Sequence, residues 1–175
     1  MLQDLPTLNY KSKTIGYLAK DILIIAFIYL LPALSHITSI PFYLFEPMRL
    51  ALVFCIINTN RKNSLFIALT LPAISLLLSS HPVFAKSILI SAELIINVLV
   101  FYFLSKRLKN IFIAMFMSIL FAKIFYYSTK IILLSLGFIQ GDLVSTPLWI
   151  QYIMMFLFSI YAVIALKNNS ESKVH

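Results

Sequence analysis

The stretch HPVFAKSILISAELIINVLVFYF, residues 81–103, decides how this chain is read. It is long enough to cross a bilayer, since a helix needs about 20 apolar residues to span the hydrocarbon core. It opens on His81-Pro82, and proline suits a helix start because that position leaves an N–H unused anyway. Yet Lys86 and Glu93 lie inside it. Lys86, Glu93 and Asn97 are spaced seven and four apart, so a helix puts them on one face. Glu93 falls eleven residues after Pro82. At a rise of about 1.5 Å per residue that is roughly 16 Å down, near the middle of a core about 30 Å thick. A charge there costs at least about 2.5–3.5 kcal/mol, so such charges turn toward the protein interior.

The rest of the chain agrees with a membrane reading. Of its 175 residues, 61% are hydrophobic and 11% charged, and the mean hydropathy is +0.97. Soluble domains run at roughly 45–50% apolar and about 25% charged. The net charge of +8 does not point to nucleic acid, because the basic residues sit between apolar runs. The single Cys55 excludes an internal disulfide and a cysteine metal site. No HExxH pair, phosphate-binding P-loop or nucleophile elbow occurs. A Cys55, Arg49 and His81 set exists, but the neighbours VFCII offer nothing to generate a thiolate. The expectation is a protein that is not an enzyme and holds no metal or cofactor.

The apolar runs give six candidate spans: Ile22–Leu34, Phe42–Asn58, Ser64–Ser80, Pro82–Leu104, Ile111–Phe138 and Pro147–Leu166. The fifth is long enough to be tilted or broken near its end. The fold expected is an all-α polytopic membrane protein of six transmembrane helices. Residues 1–20 form a cytoplasmic N-terminal segment, 21–166 the membrane domain and 167–175 a disordered tail. No small-x-small cleavage site follows the first span, which reads as retained rather than as a removed signal.

Charge sets the direction. Ten of the 14 basic residues fall before the first span, between spans two and three, between spans four and five, and after the sixth. The connections SHITSI, SSHP and IQGDLVST carry none. Positive loops stay in the cytoplasm, so both termini are expected inside a multi-pass protein of the cytoplasmic (inner) membrane. Helices entering from outside share a polar-proline start: Glu46-Pro47, His81-Pro82 and Thr146-Pro147. Helix capping is the plainest role for those three polar residues.

The remaining basic residues are Arg49, Lys86, Lys123 and Lys130. Lys123, Tyr127 and Lys130 share one helix face by their spacing of four and three. Lys123 lies twelve residues into the fifth span, roughly 18 Å from its inner end. Arg49 follows Glu46 by three. Two readings stand for this group. One is a polar cavity in the outer half that holds a ligand on Arg49, His81, Lys86, Glu93, Asn97, Lys123, Tyr127 and Trp149. The other is structural: a Glu93–Lys123 pair locking two helices, an Arg49–Glu46 bridge, Lys130 snorkelling to the interface, and Trp149 with Tyr152 in an aromatic belt. Four bases against three acids in the outer half lean toward a carboxylate-bearing ligand.

Six spans in a short chain, both ends inside and outer-half polarity resemble the substrate-binding S components of energy-coupling factor (ECF) vitamin transporters. The likeness is strongest over residues 46–103, where HPVFAKSILISAELIINV is similar to the start of a fourth helix carrying a mid-membrane Glu. The resemblance implies high-affinity capture of a vitamin or related small molecule at an outer-half pocket closed by the outer loops. It also implies partnership with a membrane coupling (T) subunit and two cytosolic ATPases. Pocket residues it carries over are His81, Lys86, Glu93 and Asn97. Many S components carry Ala-x-x-x-Ala in span 1, whereas Ala19, Ala26 and Ala33 here are spaced by seven. The competing expectation is a non-transporting membrane scaffold of the MreD cell-shape type.

Overall fold

The computed structural model describes residues 42–79 and 84–171, together with Ile22, Leu23 and Ala26. Most of the first expected span, the N-terminal segment, His81 and residues 172–175 lie outside the described residues. The described chain is helical, without a strand: a 3-10 turn Phe42–Phe45, then α1 (Pro47–Asn58), α2 (Arg61–Ser79), α3 (Phe84–Arg107), α4 (Ile111–Ser135) and α5 (Leu148–Glu171). Three stretches are long and apolar enough to cross a membrane: Phe84–Arg107, Ile111–Ser135 and Leu148–Lys167. This is a membrane protein by the length and composition of those helices.

Local chemistry explains the helix limits. Asn60 accepts from the Asn63 N–H at 2.9 Å, and Asn110 from the Ile113 N–H at 3.3 Å, so an asparagine caps α2 and another α4. Gly137 ends α4 with φ 74°. Its N–H donates to the Leu134 carbonyl and that of Phe138 to the Leu133 carbonyl, which is a Schellman ending. The expected span to Phe138 therefore stops at Ser135 and becomes loop. Helix α5 continues past Lys167 to Glu171, into the segment read as tail.

The second expected span departs most. Phe42–Asn58 is not one helix but two pieces broken at Glu46, whose φ of 50° and ψ of 58° are left-handed. The longer piece, α1, has 12 residues and is about 18 Å long. That is too short to cross a core of about 30 Å. Its sequence explains the place it takes. Ala51, Leu52, Val53, Cys55, Ile56 and Ile57 are all buried, and a helix apolar on every side belongs inside a bundle. It packs against α2, α3, α5 and the 3-10 turn. Around it α3 packs on α2 and α4, and α4 on α5. Leu52, Val53, Ile67, Leu94, Val98, Met115, Ile119 and Met155 make the core. Outward faces carry Phe66, Phe121, Ile124, Phe156 and Ile164, exposed as a lipid-facing surface requires.

Candidate functional site: a buried charge network at the broken helix

The start of α1 brings together four ionisable side chains from three helices and the break itself. Arg49 ion-pairs Glu93 of α3 through Nη2 and Oε1. Arg49 Nη1 also lies 3.2 Å from Glu46 Oε2. The other Glu46 oxygen, Oε1, pairs with Lys123 of α4. The order is Glu93–Arg49–Glu46–Lys123, two acids alternating with two bases. Arg49 is 4% exposed and Glu93 7%, so neither is served by bulk water. Alternation is what makes the burial tolerable, because an unpaired charge inside costs several kcal/mol.

The heights agree with this meeting. Glu93 lies fourteen residues above Arg107, and Lys123 twelve above Ile111, or roughly 21 and 18 Å along their helices. Glu46 stands at the top of α1, about 18 Å above its inner end. A broken helix is admissible at such depth only where protein or a cavity surrounds it.

Gln151 of α5 extends the network. Its Oε1 accepts from Lys123 Nζ at 2.7 Å. Its Nε2 donates to the Tyr127 hydroxyl at 2.6 Å and the Thr146 carbonyl at 2.7 Å. Lys123 and Tyr127, one turn apart, thus converge on one amide. One turn beyond, Lys130 is buried and donates to the carbonyls of Asp142 and Leu143, each at 2.8 Å. It fastens the α4–α5 loop, where snorkelling alone was one expectation.

Of the residues read as a site, Arg49, Glu93, Lys123 and Tyr127 come together here. Asn97 is fully buried one turn below Glu93 and accepts from Ser118 Oγ at 3.0 Å. Lys86 is half-buried on the same helix, with no hydrogen bond or ion pair among the described residues. Trp149 is 65% exposed on the outward side of α5. His81 lies outside the described residues.

The expected Glu93–Lys123 pair does not form; each takes a partner from the α1 start instead. Glu46, expected as a cap, makes no side-chain cap bond. Its carboxylate is engaged by Arg49 and Lys123. Gln151 was not foreseen, although a lone amide in LWIQYIMMF is its only sequence signal. Two members remain incompletely satisfied: Arg49 Nε and Nη1 and Asn97 Nδ2 are buried without a hydrogen-bond partner among the described residues, Nη1 facing Glu46 as an ion pair only. Groups of three or more His, Cys, Asp or Glu fit to hold a metal ion are absent among the described residues.

Comparison with family models, curated proteins and solved structures finds no match for this chain.

Proposed function

We propose that this protein is a membrane-embedded, high-affinity binding subunit for the uptake of a small polar molecule. The observation that carries the reading is the buried charge network at a broken helix, deep in the bundle and short of full hydrogen bonding. Intramembrane ionisable residues mark substrate or ion paths by default. Discontinuous helices whose N-termini meet a charged cluster at mid-membrane are the usual form of transporter binding sites.

The topology proposed has six crossings, the second made by the 3-10 turn Phe42–Phe45 and α1 together, with both termini in the cytoplasm of a bacterial-type inner membrane. Arg61, Lys62, Lys106, Arg107, Lys109 and Lys167, at the start of α2, the end of α3, the start of α4 and the far part of α5, are exposed and support that direction. By resemblance to the S components, the chain works with a membrane coupling subunit and two cytosolic ATPases that supply the energy.

The test is purification from the native host in mild detergent, followed by native mass spectrometry. A retained small molecule, or co-purifying coupling and ATPase subunits, is the outcome expected. Wall-synthesis or cytoskeletal partners with no small molecule retained would replace this reading with the membrane scaffold. One observation favours that second reading: the four charges are already mutually paired, as a purely structural tie between helices would be.

A further inference from the structure

We infer that the charge network recognises a carboxylate on the ligand, and that Glu46 is an internal stand-in which the ligand's carboxylate displaces. The inference rests on the binding reading above and names its ligand class.

Three observations converge on it. First, the carboxylate of Glu46 occupies the position an anionic ligand would want: it lies beside the start of α1, 3.2 Å from Arg49 Nη1 and against Lys123. A helix start is electropositive and favours an anion. Second, Glu46 holds that position from a left-handed backbone, φ 50°, which a β-carbon disfavours. It does so without capping the helix. Of the two carboxylates it is also the more exposed, 15% of its side chain against 9% for Glu93. It is therefore the one that can leave, relieving its backbone as it goes. Third, the unused capacity nearby is for an acceptor. Arg49 Nε is a buried donor with no partner among the described residues, and a guanidinium can only donate. An amine-bearing ligand would find both carboxylates already taken by Arg49 and Lys123.

The test uses the full chain in detergent, with matched probes: benzoate against benzamide and benzylamine, and hexanoate against hexanamide. Binding is read from thermal stability and from the fluorescence of Trp149, the single tryptophan, two residues from Gln151. Any molecule retained through purification is identified by native mass spectrometry. Carboxylates are expected to stabilise the protein while their amides do not. Lys123→Gln should weaken carboxylate binding at least tenfold. Glu46→Gln, by removing the internal competitor, should strengthen it at least tenfold, an effect no structural tie would produce. Should Glu46→Gln not fold, Glu46→Asp, whose shorter arm holds the position less well, should show the same direction. Equal effects of acid and amide, stabilisation by the amine, or a retained molecule without an anionic group would overturn the carboxylate while leaving the binding reading in place. A folded protein that retains nothing and responds to no probe overturns both.

Discussion

Arg49 is the residue on which the interior turns. It contacts both acids of the network and is almost fully buried. Arg49→Met removes the only described partner of Glu93 and should destabilise the protein by about 3–5 kcal/mol, as breaking a buried pair does. Arg49→Met with Glu93→Leu should recover much of that loss, because an apolar pair of similar volume replaces an ionic one. Thermal unfolding of both variants in detergent checks this; equal losses would mean that the pair is not what carries the stability. Gln151 is a smaller case. Gln151→Leu leaves the Tyr127 hydroxyl and the Thr146 carbonyl without their partner and takes from Lys123 one of its two, Glu46 remaining. A loss of roughly 1–3 kcal/mol is expected, the penalty for buried polar groups left unpaired. Stability unchanged by that substitution would show that water serves these groups.

Among the elements, α1 and the end of α4 show two ways a helix is bounded. Helix α4 stops through local geometry: Gly137 is left-handed, and a β-carbon there would meet nothing within 4 Å. Gly137→Ala should therefore cost only the conformational penalty, roughly 1–2 kcal/mol. Gly137→Asn should cost less, since asparagine tolerates that region better. Chemical denaturation of the two variants ranks them, and the reverse order would mean that side-chain contacts dominate the site. Helix α1 starts on Pro47, a local signal, but the conformation of the residue before it has a tertiary reason. Nothing intrinsic to Glu46 makes it left-handed; its carboxylate is held by Arg49 from the helix it precedes and by Lys123 from another. The asparagine caps, the prolines at helix starts and the Gly137 ending are short-range signals, and they are legible in the sequence. The helix start at Glu46-Pro47 is legible as well, but the left-handed turn of Glu46 and the separate piece before it are not, because FYLFEPMRLALVFCIIN has no glycine to mark them.

For the whole molecule the strongest expectation is direction. With Cys55 replaced by Ala, a cysteine at Lys109 should react with a membrane-impermeant thiol reagent only after the cells are opened. A cysteine at Ser145 should react in intact cells. Both positions are exposed, so reaction of both from the same side would remove the proposed topology. The α3–α4 connection is only residues 108–110, which forces those two helices antiparallel and puts the two test positions at opposite ends of α4.

That the chain is helical, apolar enough for a membrane and interrupted near the observed loops is already legible in its sequence. Those properties follow from hydropathy and from turn and cap residues, each of which acts within a few positions. The interior depth of Glu93 and Lys123 is legible too, because depth is counted along one helix. The partners of these charges were settled by the tertiary structure alone. Glu93 meets Arg49, Lys123 meets Glu46, and Gln151 joins them, because a short α1, apolar from Leu50 to Ile57, is drawn into the bundle and carries its charged start with it. Pairing depends on which helices become neighbours and how each is rotated, and no spacing along a single chain segment encodes that.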